Sequence, residues 1–310
     1  MKNKFNGVKI KNKKKNSILR SPFVFGIFAI LVIYVILLLI PMLWAFFSSI
    51  KSYGEFRNNP LLWPSGSIFS WEWSNLVMAF DYFFLVIPTS DGGQEVIYLE
   101  TMLFNSIIFA GLSAIIDAFV HMFMAYLAVI YKNPISKIIT NIVIITMILP
   151  IYSSSGATMV ILRNLGLYNN LFPYVIVTSC GFTGINYLIW LATFKSQAID
   201  YSEAARIDGA NEITIMFRIQ FPLVIKLYMT FVLLGFIGGW SNYTTALYYL
   251  PKYPTIAYGL FIYCGTSTNA TSTVPMRLAG CVIMLMPLLI LFLLFHKQLV
   301  GNISFGGLKG

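Results

Sequence analysis

Asp117 and His121 stand four residues apart inside a long apolar run, so a helix would place both on one face. Ionisable groups in such a run are costly to bury and often functional: the pair could bind a proton or line a polar path. The plainer alternative, which stands ahead, is a local pair turned inward to hold a helix bundle together. A second chemical feature is the polar stretch DYSEAARIDGANEITIMFRIQFP at 200–222, which holds Asp200, Glu203, Asp208 and Glu212, four of the chain's eleven acidic residues. Asp200 and Glu203 have the spacing of a capping box, Ala204 and Ala205 favour helix, and Gly209 offers a left-handed stop. The spacing predicts a two-turn helix over Tyr201–Asp208 and a second helix capped by Asn211 and running to Phe221, with Pro222 opening the next apolar run. Two turns are marginal alone in water and need a surface to pack on. The small Ala face and the apolar Ile207, Ile213, Ile215 and Phe217 suit insertion into a partner's groove. An amphipathic turn lying on lipid headgroups is an almost equal alternative.

Catalytic chemistry has little to work with. The sequence contains no Gly-x-x-x-x-Gly-Lys-Ser/Thr phosphate loop, and its two His residues form no zinc-protease motif. No catalytic residue, metal site or cofactor site is assigned, and an enzyme is not expected. Cys180, Cys264 and Cys281 match no metal or redox spacing, and each reads as a small apolar residue.

The elements that position these residues are set by composition. With 58% hydrophobic and 10% charged residues, the chain is a membrane protein rather than a soluble domain. Continuous apolar runs select helices over barrel strands. Runs of ~20 apolar residues cross the hydrocarbon, and six are expected, at 23–47, 102–130, 138–162, 173–194, 223–249 and 276–296. The fold class is therefore all-α and polytopic, with six transmembrane helices. Pro41, Pro150 and Pro287 fall inside spans as kink sites.

Charge sets the sidedness. Eight of the 21 basic residues lie in the first 20 positions with no acid among them, which holds that end in the cytoplasm and offers contact to anionic lipid. Only Lys51, Arg57, Arg163, Lys252 and Arg277 fall on the opposite side, against 16 inside. Both termini are then cytoplasmic, and a nucleic-acid partner is not expected despite the net charge of +10. The organisation is a basic tail (1–22), a six-span domain (23–298) and a Gly-rich tail (299–310). The outer segment 48–100 is expected to be a solvated loop with interfacial aromatics, part of which receives an outside partner. The cytoplasmic element spans 196–222.

Glu203-Ala204-Ala205, Gly209, Ile219 and Pro222 reproduce the EAA motif of permease subunits of bacterial ABC importers. The longer EAARIDGA resembles the carbohydrate branch that includes the maltose permeases, and so do SSIKSYGEFRNNPLLWPSG (48–66), NSIIFAGLSA (105–114), AYLAV (125–129), MILPIYSSSGATMVILRNLGLYNN (147–170) and LVGNISFGGLKG (299–310). The resemblance covers nearly the whole chain. It implies a type I importer fold in a bacterial inner membrane, with a second homologous permease, two cytoplasmic ATPase subunits that bind ATP and Mg, and an extracytoplasmic solute-binding protein. It implies that Glu203, Ala204, Ala205, Arg206, Asp208 and Gly209 form the coupling joint to the ATPase, with Arg206 pairing with a partner acid. The sequence departs from the family's usual pattern at Lys226, where a Pro is common, and at Tyr243, where an acid usually follows the Trp-Asn pair.

Within the spans, Ser153–Ser155 with Gly156, and Gly235, Gly238 and Gly239, are expected chiefly to let helices approach closely. Small-residue breaks also mark solute sites in transporters. Since sugars are held by aromatic faces and hydrogen-bonding groups, Trp240, Asn242 and Tyr243, with Asp117, are the substrate-path candidates. Two rival functions remain: an ABC permease for a non-sugar solute, and a proton-coupled secondary transporter using Asp117 and His121.

Overall fold

A run of 28 residues without a charge forms α1 (Pro22–Ser49), which is not interrupted at Pro41. In this computed structural model, residues 22–88, 92–131, 134–148, 155–181, 184–196, 200–265 and 273–302 are described. Helix α1 is apolar on every face, and its side chains stay exposed from Phe25 to Leu43, as suits a helix solvated by lipid.

After α1 the chain does not become the solvated loop expected for 48–100. It folds into α2 (Tyr53–Asn58), a 3₁₀ turn (Ile68–Ser70), α3 (Ser74–Tyr82) and an antiparallel hairpin of β1 (Phe84–Pro88) with β2 (Gln94–Tyr98). The hairpin is a local exception in a mostly helical chain: Leu85, Ile87 and Ile97 bury one of its sides against the bundle, as alternating strands do. A signal was present in the sequence, since Gly92 and Gly93 separate two runs rich in apolar and β-branched residues.

Lys51 organises the segment that follows α1. It is wholly buried, and its ammonium donates to the carbonyls of Asn59 (2.9 Å) and Leu62. Asn75 of α3 donates to the Ser49 (2.9 Å) and Lys51 (2.8 Å) carbonyls, tying the end of α1 to α3. Burial pushes the Lys51 pKa below its usual value, and the nearby Glu55 carboxylate opposes that. Lys51→Met keeps the aliphatic stem but leaves two carbonyls without a donor. It should cost ~2 kcal/mol, read as a lower thermal midpoint in detergent. An unchanged midpoint would remove Lys51 from this role.

The bundle follows: α4 (Leu99–Ile130), α5 (Pro134–Ile148), α6 (Ser155–Asn164), α7 (Leu171–Ser179), α8 (Gly184–Ser196), α9 (Asp200–Ile207), α10 (Glu212–Ile215), α11 (Phe221–Trp240), α12 (Thr244–Tyr249), α13 (Ile256–Gly265) and α14 (Val274–Asn302). Among the described residues four helices are long and apolar enough to cross a membrane, or five if α7 and α8, inclined by 55°, make one broken span. The third expected span, 138–162, falls on α5 and α6; Pro150 and Ser153–Ser154 between them lie outside the described residues.

Helix α4 is the spine. Antiparallel α11 packs along it, so close that a Cβ on Gly239 would sit 3.0 Å from Ala110 Cα and one on Gly235 would sit 3.1 Å from Ala114 Cβ. The close-packing role holds for these two glycines. At Gly238 and Gly156 an added Cβ meets nothing within 4 Å. One core lies where α4, α8 and α11 meet, around Tyr187, Trp190, Met122 and Val224. A second, around Phe83, Met102, Trp240 and Ile256, joins the hairpin to α4, α11 and α13. Buried Ser106 accepts from the Ile256 N–H (2.7 Å), and Asn105 donates to the Pro254 carbonyl (3.1 Å), fixing the start of α13 on the spine.

Three boundaries differ from expectation. The α11 helix ends at Trp240 rather than 249, and a separate helix, α12, starts at Thr244, where Asn242 Oδ1 accepts from the Thr245 N–H (3.0 Å). No break occurs at Pro222: α10 passes through a π-helical turn (Met216–Gln220) directly into α11, with Pro222 as the second residue of α11. Helix α14 continues through Pro287 to Asn302, so the expected tail is helical at its beginning. Cys264, expected in a loop, lies in α13.

Candidate functional site, a polar knob on the helix pair

Residues 200–220 build a small helical hairpin at one end of the α4–α11 pair. Helix α9 forms over Asp200–Ile207, one residue displaced from expectation. The Asp200 side chain, and with it the expected capping box, lies outside what is described. The other end is fully resolved in hydrogen bonds. Gly209, at φ +83°, lets its own N–H reach the Arg206 carbonyl (3.0 Å) and the Ala210 N–H reach the Ala205 carbonyl (2.9 Å). That pair of bonds is a Schellman stop, and the positive φ is why glycine occupies the position. Asn211 then caps α10 as expected, its Oδ1 accepting from the Thr214 N–H (2.8 Å).

Two tertiary ties hold α9 against the following helix. Arg206 Nε donates to Glu212 Oε1 (2.7 Å) and its terminal nitrogen to Oε2 (3.3 Å), a two-point bridge across the turn. Within the chain it is Glu212 that engages Arg206, and that hydrogen bond raises a pKa that is already very high. Both side chains are partly exposed, so the bridge orients more than it stabilises. The second tie is buried: Gln220 Nε2 donates to Ser202 Oγ at 2.7 Å. The Tyr126 hydroxyl, at the end of α4, lies 3.4 Å from the Glu212 carbonyl and links the hairpin to the spine. None of these ties was anticipated from the sequence, since each joins residues from different turns or helices.

What the hairpin leaves outward is specific. Glu203, Ala204, Arg206, Asp208 and Gly209 are exposed and Ala205 is half-buried, so the six coupling candidates share one protruding element. Around them Ile207 is 87% exposed, Ile213 69% and Tyr201 62%. Of the four apolar contacts expected, Ile215 is instead buried in the bundle, and Phe217 stacks on Phe119 of α4. A knob with this much bare aliphatic surface, rigidly tied at its base, can seat in a complementary groove.

The remaining candidates lie elsewhere. Asp117 and His121 face the same side of α4: His121 is buried, its Nδ1 2.7 Å from the Asp117 carbonyl oxygen and 3.5 Å from Asp117 Oδ2. Trp240 is fully buried, stacks on Phe236 and donates to the Met284 carbonyl (3.1 Å). It borders a groove of about 520 Å³ among α4, α11 and α14 with apolar lining throughout, the wrong chemistry for a hydroxylated solute. Asn242 and Tyr243 keep open surface, Tyr243 lying flat on Phe261 with ring centres 4.5 Å apart. Among the described residues no cluster of three or more His, Cys, Asp or Glu could hold a metal.

Residues 122–304 match the family described as the inner membrane component of binding-protein-dependent transport systems. The chain belongs to that family. The matched region includes the knob and both its ties. Among curated relatives, the chain is 26% identical over 279 residues to the sulfoquinovosyl glycerol transport system permease protein SmoH of Agrobacterium fabrum, covering 88% of this chain and 89% of that one. It is 26% identical to the arabinooligosaccharides transport system permease protein AraQ of Bacillus subtilis, over 76% and 80% of the two chains. It is 28% identical to the trehalose/maltose transport system permease protein MalG of Thermococcus litoralis, over 69% and 77%. In fold, it superposes with a TM-score of 0.70 at 22% identity on a chain of a bacterial ABC transporter involved in import of the acidic polysaccharide alginate, covering 90% of this chain and 97% of that one. The architecture is thus that of an ABC importer permease, a multi-pass membrane subunit of a transport system.

Proposed function

We propose that this chain is the membrane-spanning subunit of an ATP-driven, binding-protein-dependent importer of a sugar or oligosaccharide in a bacterial inner membrane. The single observation that carries the coupling half of this reading is the knob: α9 and the turn after it leave Glu203, Ala204, Arg206, Asp208 and Gly209 exposed while Arg206–Glu212 and Ser202–Gln220 lock them to the helix that becomes α11. A segment so tied moves with the span it caps. ATP-driven closure of two ATPase subunits would push the knob, and α11 with its α4 neighbour would swing as a body to alternate access. ATP and Mg belong to those partners. A second permease would complete the path, and a solute-binding protein would deliver the sugar outside, against the surface braced by Lys51.

The sugar half is supported by the named relatives, whose stated cargoes are glycosides and oligosaccharides. The charge asymmetry supports six crossings with both termini inside, which would put the knob in the cytoplasm. Asn242 and Tyr243, at the far end of α11 from the knob, are the path residues that retain open polar surface, with Trp240 setting the wall behind them.

Two measurements test the reading. Affinity purification of the tagged chain should bring down an ATPase subunit and a second permease. Uptake by the reconstituted complex should then respond to one or a few members of a labelled panel of neutral and acidic sugars. Purification without an ATPase partner would sink the coupling reading. Uptake of amino acids or polyamines in place of every sugar would move the chain to the rival solute class.

The Asp117–His121 geometry suits a helix-internal tie, with the imidazole turned to its own helix carbonyl. Asp117→Asn should leave assembly intact and lower uptake at most partly. Complete loss of uptake in an intact complex would restore the proton-coupled alternative.

A further inference from the structure

Where α4 ends, α5 begins and α8 ends, the bundle encloses a cavity of about 600 Å³ lined by Ala128, Val129, Lys137, Asn141, Leu191 and Lys195, with the hydroxyls of Ser136 and Thr140 between them. Its chemistry is two-sided. The hydroxyls are already turned inward, Ser136 to the Tyr131 carbonyl (2.7 Å) and Thr140 to the Ser136 carbonyl (2.9 Å) and the Tyr187 hydroxyl (3.2 Å). Facing the opening are two ammonium groups and a carboxamide: Lys137, Lys195 and Asn141 are all exposed. Lys137 and Asn141 stand four residues apart on one face of α5. Among the described residues no carboxylate forms an ion pair with either lysine. Two like charges lining one cavity repel each other, and an anion bound there relieves that repulsion. Lys137 also lies in the first turn of the 15-residue α5, where the helix dipole favours negative charge.

We infer that this cavity is a discrete binding site for the phosphodiester headgroup of an anionic phospholipid. A soluble phosphate compound would need only the charged rim, but the floor here is Ala128, Val129 and Leu191. Exposed Ile138, Ile142 and Ile145 continue along α5 beside it as an apolar stripe. That combination fits a ligand whose charged head meets lysines while its chains lie on hydrocarbon, as basic pockets between membrane helices provide. The inference goes beyond the transport reading and does not depend on it. It is also distinct from diffuse attraction of the basic residues in 1–20 to a charged bilayer.

The test uses the full chain purified with whatever subunits accompany it, in mixed micelles of phosphatidylcholine and phosphatidylglycerol, read by native mass spectrometry. One phosphatidylglycerol per chain should be retained in preference to phosphatidylcholine. The double variant Lys137→Gln/Lys195→Gln should bind it roughly 30-fold more weakly, which is about 2 kcal/mol at 1.4 kcal/mol per tenfold and follows from ~1 kcal/mol for each lysine. Lys137→Arg/Lys195→Arg should retain it, and Gln at Lys13, Lys14 and Lys15 should leave it unchanged. Equal retention of both lipids, or undiminished phosphatidylglycerol on the double Gln variant, would overturn the site. Full displacement by inorganic phosphate at constant ionic strength would overturn the lipid assignment, because a soluble anion would then satisfy the cavity.

Discussion

Gly209→Pro should abolish uptake while leaving the membrane-embedded bundle folded. At φ +83° the position is closed to proline, whose ring holds φ near −65°, and the substitution also deletes the N–H that reaches the Arg206 carbonyl. The local cost is ~3 kcal/mol or more, which two helical turns cannot absorb because so short a helix has almost no stability of its own. Space is not the issue: an added Cβ at Gly209 meets nothing within 4 Å, so any effect comes from the backbone alone. Asn tolerates the left-handed region, so Gly209→Asn should keep most uptake where Gly209→Pro keeps none. The informative measurement pairs uptake with ATP turnover in the reconstituted complex. If α9 is the transmitter, the Pro variant either loses the ATPase subunit or hydrolyses ATP without moving solute. Full uptake by Gly209→Pro would mean that the shape of this turn is irrelevant to transport, and the proposed coupling role would go with it.

How much of this was legible in advance follows the range of the interactions. The knob's ends were readable because a Schellman stop and an Asn cap are written in neighbouring residues: Gly209 and Asn211 do what their types predict. Helix approach through Gly235 and Gly239 was readable in kind, since small residues at a spacing of four have one common use in membranes. Their partners, Ala110 and Ala114, were not. The Arg206–Glu212 bridge joins residues six apart across a turn, and Ser202–Gln220 residues 18 apart; no periodicity announces either. Lys51 was read as one more outer positive charge. Its burial depends on the carbonyls of Asn59 and Leu62 folding back over it, which is a property of the α2 loop as a whole. Trp240 misleads for a different reason. Aromatic character suits both a sugar platform and a core, and the Met284 carbonyl that takes its indole N–H lies on another helix. Span five was drawn too long because Leu247, Tyr248 and Tyr249 continue the apolar pattern, while one carboxamide, Asn242, caps the start of the separate helix α12.

Gly239→Leu should destabilise the chain outright and remove transport with it. A Cβ at this position would lie 3.0 Å from Ala110 Cα and 3.1 Å from its Cβ, so the first obstacle is backbone that cannot rotate away. Beyond that Cβ, three further carbons must enter the same seam, and overpacking of this kind costs ~1–3 kcal/mol before helices part. Gly238 provides the control on the same turn, because a Cβ there meets nothing within 4 Å. Gly238→Leu should therefore melt close to the parent in detergent, while Gly239→Leu melts well below it. Gly239→Ala should fall between them, and adding Ala110→Gly should recover much of the loss, since the two residues share one contact. Equal behaviour of the Gly238 and Gly239 variants would mean that α4 and α11 are not in contact along this line. The functional weight of the seam comes from its place in the mechanical chain. Helix α11 carries the knob at one end and Trp240, Asn242 and Tyr243 at the other, about 30 Å apart at 1.5 Å per residue. A push at the knob reaches the path residues as a rigid displacement only while α11 stays welded to α4. Gly239→Ala chains that still fold and assemble should on that account import less per ATP hydrolysed than the parent, a ratio that a loss of folded protein alone would not change.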